Sequence, residues 1–392
     1  MKKFSNLICK AKKSIIISFL SIALSIIISS ILIFAVGKSP VLAFDSLLKG
    51  ALGSPIAIAN TLNKSVPLII AGLACAIAFK GGMLNIGVEG QLHIGGICAF
   101  MVTYFMPKRS PGFFVIALAI IASALGGMLW ASLIGILKVR LRVNEVIIAI
   151  LLNYIAIELV SYLINYPFVS PKRLPETSIV LDKYRFTSLM KSTQFTTSIF
   201  IALISVMLVY FIINKTVFGY EVKAVGDNMS AAEAGGILVN KTVIKTMMIS
   251  GAVGGLIGAT ELLGTYGKLY DGFSGNVGFT GLAVSVLAGN NPIVIILSGL
   301  LFGILDSGAR LMNIRAGLSA NMVVVIQALV IFFIATPGIF DFIFIKRRKN
   351  KCKWRSCQLI PIGTLISKNK LVYALKELLY FIFAIRHFLS QQ

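Results

Sequence analysis

Acidic residues and histidine are scarce in this 392-residue chain. It has 14 Asp and Glu against 37 Lys and Arg, only two histidines, and just 13% charged residues. So small a charged fraction leaves too little polar surface to cover a water-soluble globule of this length. With the histidines reduced to His93 and His387, we find no constellation of catalytic side chains, and the chain is not expected to be an enzyme.

Motifs for nucleotide binding and hydrolysis are missing as well. No Gly-x-x-x-x-Gly-Lys-Ser/Thr loop occurs, because Leu32 stands where the segment Gly37-Lys-Ser39 would need its upstream glycine. No His-Glu-x-x-His or Gly-x-Ser-x-Gly sequence is present. The five cysteines indicate neither a disulfide framework nor a metal site. We therefore expect no cofactor and no metal, and if ATP drives this protein, another subunit must bind it.

Apolar residues dominate what remains. They make up 57% of the chain and the mean hydropathy is +0.91, which predicts an all-α integral membrane protein. About ten apolar runs indicate about ten transmembrane helices. Three short runs, 66–79, 277–288 and 292–305, lie close to the glycine motifs described next. The runs are 14–36, 66–79, 83–105, 112–137, 143–164, 196–213, 243–263, 277–288, 292–305 and 322–336.

Two related glycine motifs occur, one in each half of the chain. The first is Asn85-Ile-Gly-Val-Glu-Gly-Gln91 and the second is Asn276-Val-Gly-Phe-Thr-Gly281. Under a topology with both termini in the cytoplasm, which the basic N-terminus and the loop Lys138-Val-Arg-Leu-Arg142 favour, the two motifs start helices of opposite direction. This is the pattern of an inverted internal repeat, as in many transporters.

The first motif carries polar residues at helical spacing. Asn85, Glu89 and His93 stand at i, i+4 and i+8, so on one helix they would form a polar stripe facing the bundle interior. Two interpretations are open. Glu89 could act directly in binding or gating, or it could tie helices together by hydrogen bonds without touching substrate. An unpaired buried charge is too costly to be accidental in either case.

A second polar stripe lies in the fifth run. Tyr154, Glu158 and Ser161 stand at i, i+4 and i+7, with Asn153 adjacent. An aromatic ring beside hydrogen-bonding groups suits a nucleobase or a sugar, and helix packing is the alternative. Glu261, at the end of the seventh run, is expected in a partly hydrated vestibule.

A glycine- and alanine-rich segment, residues 219–237, separates the sixth and seventh runs. Ser230 and Glu233 have capping-box spacing, which predicts a short helix closed by Gly235 and Gly236. Small residues on a short cytoplasmic helix suit docking into a groove on a partner protein. The net charge of +23 is scattered over loop ends and indicates contact with anionic membrane lipid, not nucleic acid.

These segments resemble the permease subunits of bacterial ATP-binding-cassette importers. The likeness covers about residues 14–340 and lies in the branch of ribose and branched-chain amino-acid permeases, with the nucleoside permeases paired with a basic-membrane-protein lipoprotein as the best match. That group carries a Phe-Arg-x-Gly-x-x-Asn-Ile-Gly-Val-Glu-Gly-Gln block, here with Lys80 in place of Arg. Further matching blocks are Asn144-Glu145 with Leu152-Asn153-Tyr154, Ala224-Val-Gly226 with Asn228 to Gly235, and Gly278-Phe279 with the stretch from Gly281 to Pro292.

The resemblance implies a ten-helix permease in the bacterial plasma membrane that imports a nucleoside. It implies three kinds of partner: an ABC ATPase subunit, a second homologous permease and a substrate-binding lipoprotein. The segment 215–240 becomes the ATPase-coupling segment, with Gly219, Glu221, Lys223, Gly226, Asn228, Ala231, Ala232 and Gly235 as its candidate contact residues. The candidate substrate-pathway residues are Asn85, Glu89, Asn153, Tyr154, Glu158 and Phe279.

Rival functions and one boundary stay open at this point. A ribose-type sugar permease, an ion-coupled secondary transporter using Glu89 or Glu158, and a membrane sensor would share many of these features. Residues 1–345 are expected to form the permease domain. The basic segment 346–392 is a cytoplasmic tail that either lies on the membrane surface or is a non-native extension.

Overall fold

A computed structural model describes residues 24–190 and 193–318, together with 322, 324–326 and 328–329. The chain divides into two units, Met1–Phe340 and Asp341–Gln392, and all described residues belong to the first. The tail 346–392, the basic N-terminus and most of the tenth apolar run lie outside the described residues. Their predicted roles stay predictions.

The described residues are helical and contain no β-strand, only isolated bridges in and beside one long loop. A helical membrane protein was expected, because helices satisfy their own backbone groups in lipid. The helices in chain order are α1 (Leu24–Ala35), α2 (Pro40–Leu52), α3 (Pro55–Lys80), α4 (Val88–Phe105), α5 (Gly112–Leu141), α6 (Glu145–Asn165), α7 (Ser198–Lys215), α8 (Val217–Asp227), α9 (Met229–Ala234), α10 (Val239–Thr260), α11 (Val277–Leu287) and α12 (Pro292–Ala316).

Six helices of the described part are long and apolar enough to cross a membrane. A seventh crossing results if α1 and α2, which meet at a bend of 120°, count as one broken span. The apolar runs predicted about ten crossings, and that number stays a prediction. The six are α3, α5, α6, α7, α10 with its continuation to Tyr266, and α12.

Two runs that looked short belong to full-length helices. The run 66–79 lies in α3, which starts at Pro55 behind the N-cap Ser54 and passes through Pro67 without ending. Membrane helices tolerate an internal proline because neighbouring groups satisfy the freed carbonyl. The run 292–305 lies in α12, which has 25 residues. Only α11, with 11 residues and hence a length of about 16 Å, is short as expected.

Helix α10 is the centre of the packing and is held by glycines. Ser123 on α5 donates its hydroxyl to the carbonyl of Gly255 at 2.6 Å. A Cβ built at Gly255 would overlap the carbonyl oxygen of Ser123, and one at Gly258 would overlap the backbone of Gly96 on α4. Close approach of backbones through small residues is the usual basis of helix association in lipid. The glycines of α10 therefore fix how α4 and α5 lie.

The long loop between α6 and α7 folds back on the end of the α10 span. That span continues as a π-helical segment, Glu261–Tyr266. The amide of Thr177 donates to Leu269, and that of Val180 donates to Gly267, both at 2.8 Å. The loop thus covers the stretch that follows the π-helical segment.

We expect Gly255→Val to lower the apparent unfolding temperature of the detergent-purified protein clearly. The new side chain would collide with the α5 backbone, and overpacking of this kind costs about 1–3 kcal/mol or more. Leu129→Val, at a position of α5 that is 62% exposed, is the control and should unfold near the wild-type temperature. Equal unfolding temperatures for the two variants would show that the glycine contact does not determine the packing.

Candidate functional site

The first glycine motif forms a buried turn between α3 and α4. Asn85 is fully buried, and its side chain donates to the Ser250 hydroxyl at 2.7 Å and accepts from the Gly87 amide at 3.0 Å. It also exchanges two hydrogen bonds with the Gln91 side-chain amide, at 3.1 and 3.0 Å. All of its polar atoms are thus used by the protein, and Asn85 fixes the shape of the turn.

Glu89 joins the two glycine motifs. It lies in the first turn of α4, is 1% exposed, and its Oε2 accepts a hydrogen bond from the amide of Gly278 at 2.8 Å. Gly278 is in the first turn of α11, and a Cβ there would lie 2.5 Å from the Glu89 nitrogen. The carboxylate therefore sits at two helix N-termini, whose partial positive charges favour an anion.

Asn153 attaches α6 to the same turn. Its Oδ1 accepts from the amide of Gly90 at 2.9 Å, and its Nδ2 donates to the carbonyl of Ile86 at 3.0 Å. The side chain is 3% exposed. Asn85, Glu89 and Asn153, three of the six pathway candidates, are thus brought together as one hydrogen-bonded group around the motif turn.

The other three pathway candidates are not part of this group. Tyr154 is 66% exposed, Phe279 is 41% exposed, and Glu158 is exposed on the same helix as Tyr154. Asn153 and Tyr154 are adjacent and so lie about 100° apart around the helix. Asn153 therefore lies on a different face of α6 from the Tyr154 stripe beside it.

The predicted stripe of Asn85, Glu89 and His93 also needs correction. Asn85 precedes α4, which begins at Val88, so only Glu89 and His93 share a helix face. The His93 ring nitrogen Nδ1 lies 2.8 Å from the carbonyl oxygen of Glu89, and the ring packs 4.9 Å from that of Phe273. His93 is a packed, hydrogen-bonded residue of the interior.

The segment between α7 and α10 folds as two short helices, α8 and α9. Thr216 caps α8 by accepting from the Gly219 amide at 3.1 Å. Asn228 caps α9 by accepting from the Ala231 amide at 3.0 Å. The predicted capping box at Ser230 and Glu233 is therefore wrong, because the helix begins earlier. Its closure at Gly235 and Gly236 is confirmed.

The inner side of this segment rests on the membrane helices. A side chain at Gly219 would overlap the carbonyls at the end of α7, and one at Gly226 would overlap the carbonyl oxygen of Lys80. Gly82, with φ +69°, faces Gly226 across this contact. The end of α8 thus touches the residues that lead directly into the Asn85 turn.

The remaining coupling candidates divide between inner contacts and open surface. Glu221 accepts a long hydrogen bond of 3.4 Å from Thr242, and Lys223 donates to Asn214 at 2.8 Å. Ala232 is buried. The exposed candidates are Asn228, Ala231 and Gly235. Helix α9 and its two caps therefore leave these three candidates open for contact with a partner protein.

The family of branched-chain amino acid transport system permease components matches residues 57–335. The chain belongs to this family. It is a permease component and a multi-pass membrane protein. Among the described residues no group of three or more His, Cys, Asp or Glu could hold a metal ion.

Individual relatives cover nearly the whole permease. This chain is 33% identical over 347 residues to the guanosine ABC transporter permease protein NupP of Bacillus subtilis, and the match covers 87% of this chain and 98% of NupP. It is 31% identical over 349 residues to the nucleoside ABC transporter permease protein NupB of Lactococcus lactis, covering 86% and 95%. A glucose ABC transporter permease protein of Haloferax volcanii is 29% identical over 334 residues, covering 82% and 87%.

Two hydrogen-bonding residues of the motif turn were not among the site residues predicted from the sequence. Ser250 accepts from Asn85 and donates to the Ala74 carbonyl at 2.6 Å. Gly278 supplies the amide that holds Glu89. Ser250 is a single hydroxyl in an apolar run, and such hydroxyls often bond within their own helix. Gly278 is the counterpart of Gly87 in the repeated motif, which was the available signal.

We expect Asn153→Leu to destabilise the permease by about 2–6 kcal/mol, because the buried amide of Gly90 and the half-buried carbonyl of Ile86 lose their partners at about 1–3 kcal/mol each. The measurement is the apparent unfolding temperature of the purified protein in detergent. The neighbouring variant Tyr154→Phe removes only an exposed hydroxyl and should unfold like the wild type. Similar losses in both variants would contradict the assigned role of Asn153.

Proposed function

We propose that this chain is the membrane-spanning subunit of an ATP-driven importer and that its substrate is a nucleoside, with purine nucleosides such as guanosine included. ATP is hydrolysed in a separate subunit, since the sequence has no phosphate-binding loop. The observation that carries the proposal is the likeness to a guanosine permease and a nucleoside permease over more than four-fifths of this chain.

A sugar is the second candidate substrate. A specific observation favours it, namely the 29% identity to a glucose permease protein over 82% of this chain. A nucleoside contains a sugar, so the two candidates share hydroxyl chemistry. They differ in the flat base, which requires aromatic or apolar surface in the pathway.

The proposed assembly contains two homologous permeases, two copies' worth of ATPase and a substrate-binding lipoprotein. Both termini face the cytoplasm, and the crossings number ten. Support for an inverted repeat comes from α4 and α11, which begin at related motifs and meet at Glu89 and Gly278. The permease domain is 1–345, and the tail 346–392 has no transport role.

The pathway in this proposal runs along the exposed faces of α6 and α11. Tyr154, Glu158 and Phe279 are its lining residues, because they carry polar and aromatic groups that this chain leaves exposed. Asn85, Glu89 and Asn153 are positioning residues in the wall, since their hydrogen bonds go to the protein. With Glu89 as a positioning residue, we favour the interpretation that it joins two helices over the interpretation that it contacts substrate.

Coupling to ATP follows from the contacts of α8. The ATPase docks on α9, and movement of α9 is passed through α8 to Lys80 and Gly82, where Gly226 touches the backbone. Backbone against backbone leaves no flexible side chain to absorb the displacement. The motif turn, and with it the meeting point of α4 and α11, then shifts with the ATPase.

The direct test is uptake of radiolabelled guanosine, uridine and ribose by vesicles that contain this chain with its partner subunits. One preparation carries an active ATPase and the other a variant that binds but does not hydrolyse ATP. We expect guanosine or uridine to accumulate only with the active ATPase. Uptake of ribose alone would favour the sugar candidate, and uptake that ignores the ATPase would contradict ATP coupling.

We expect Gly226→Ala to reduce ATP-driven uptake at least about tenfold while the complex still hydrolyses ATP. The added methyl would push α8 away from Lys80, and a displacement of this kind uncouples two rigid elements. Uptake and ATP hydrolysis are measured on the same vesicles, with Leu129→Val as the control for a mild change in a membrane helix. Wild-type uptake by Gly226→Ala would remove this contact from the coupling route.

A further inference from the structure

A second buried polar cluster lies where α3, α12 and the π-helical segment meet, away from the motif turn. Its centre is Glu261, the first residue of that segment, which is only 6% exposed. Its Oε2 has no hydrogen-bond partner among the described residues. The vestibule predicted for Glu261 is therefore wrong for the carboxylate itself, which lies in the interior. Single π-helical turns inside α-helices are frequent at functional sites.

Asn63 on α3 supplies a second unused acceptor in the same cluster. It is 4% exposed, and its Nδ2 donates to the Thr265 hydroxyl at 3.3 Å. Thr265 lies in the same π-helical segment as Glu261, four residues further along the chain. Asn63 Oδ1 has no partner among the described residues. Asn63 and the π-helical segment thus contribute two orphan acceptors, Asn63 Oδ1 and Glu261 Oε2.

Buried hydrogen-bond acceptors without a donor destabilise the folded protein. Each is expected to cost about 1–3 kcal/mol without a donor, and more for a charged group, so native interiors rarely contain them. Residues that only tie helices together would pair these oxygens with backbone amides, as Glu89 and Asn153 do. The pair is therefore suited to receive donors from a bound molecule.

The cluster has an open side and aromatic walls. Lys64 and Asp306 form an ion pair of 3.2 Å, and their side chains are 45% and 47% exposed. The rings of Tyr266 and Tyr270 stand edge to face at 5.1 Å and are half-buried. Thr265 also lines a polar cavity of about 390 Å³ formed with the long loop. Thr265 therefore links the cluster to a cavity of the size that small-molecule sites have.

We propose that Glu261 and Asn63 form a recognition site for the transported nucleoside, in which their two free oxygens accept hydrogen bonds from a pair of adjacent donors on the ligand. The inference rests on the proposed nucleoside-import function. Two sources carry such a donor pair: the 2′,3′-diol of ribose and the amino-imide edge of guanine. The neighbouring tyrosines supply the flat apolar surface that a base requires.

Two other ligand classes fit less well. An anion would meet two acceptors and no free buried donor. A metal cation would find only two free side-chain oxygens, with the positive charge of Lys64 close to Glu261, and the described residues hold no group of three or more His, Cys, Asp or Glu that could hold a metal ion. The two free acceptor oxygens therefore fit a neutral ligand that carries several hydrogen-bond donors.

The test compares uptake of guanosine, 2′,3′-dideoxyguanosine and inosine by the complete complex in vesicles. Dideoxyguanosine lacks the ribose diol, and inosine lacks the amino group of guanine. Wild type, Glu261→Gln and the control Asp45→Asn are measured together. Asp45 forms an exposed i,i+4 ion pair with Lys49 on α2, so the control removes a carboxylate of little energetic weight.

We expect the wild type to prefer guanosine over one of the analogues by at least about tenfold, because a site that leaves polar groups unpaired rejects the deficient ligand. Glu261→Gln should bring that ratio to within about threefold, and Asp45→Asn should keep it. Loss of the dideoxyguanosine preference assigns the diol, and loss of the inosine preference assigns the base edge. Retention of both wild-type ratios in Glu261→Gln overturns the site.

Two further outcomes are a Glu261→Gln variant without uptake and a wild-type complex without uptake. If Glu261→Gln takes up none of the three, Asn63→Ser is measured in the same way, and wild-type ratios in that variant overturn the proposal whereas a selective loss supports it. ATP hydrolysis of each complex at the wild-type rate shows that the variant is assembled. A wild-type complex that takes up no nucleoside overturns the proposed function itself, independently of these variants.

Discussion

The arrangement of this permease depends on one buried hydrogen bond, from the amide of Gly278 to the carboxylate of Glu89. A carboxylate that is 1% exposed inside a membrane protein requires a donor, and here the Gly278 amide in the first turn of α11 supplies it. Only glycine at 278 lets the α11 backbone come this close. The two related motifs of the sequence are therefore joined in space, and their helices are held end to end.

The other polar contacts of the interior keep this meeting point in place. Asn85 shapes the turn before α4 and ties it to α10 through Ser250, and Asn153 ties it to α6. Glycines of α10 let α4 and α5 approach closely enough for these short side chains to reach. From the other side, Gly226 places the coupling segment against the start of the same turn. The proposed route from ATPase to substrate pathway is thus short and consists of backbone contacts.

Much of this could be predicted from the sequence because composition and spacing carry it. The membrane class follows from apolar content, and the importance of the Asn85 and Asn276 motifs follows from their repetition. It was harder to predict which face of each helix points into the protein. Asn153 and Tyr154 are neighbours, and an apolar helix in lipid has little hydrophobic contrast to show which faces inward, so only tertiary contacts decide. The choice of Asn228 over Ser230 as the α9 cap is similar, since both residue types cap well.

The role of Glu89 as a hydrogen-bond acceptor between two helices is the central claim, and it can be tested by comparing Glu89→Gln with Glu89→Ala in ATP-driven nucleoside uptake. Glutamine keeps an acceptor oxygen near the Gly278 amide but cannot ionise, whereas alanine keeps neither property. The account predicts that Glu89→Gln retains at least about a third of wild-type uptake and that Glu89→Ala loses nearly all of it. If glutamine is as inactive as alanine, an ionisable Glu89 is required and the helix-joining account is contradicted.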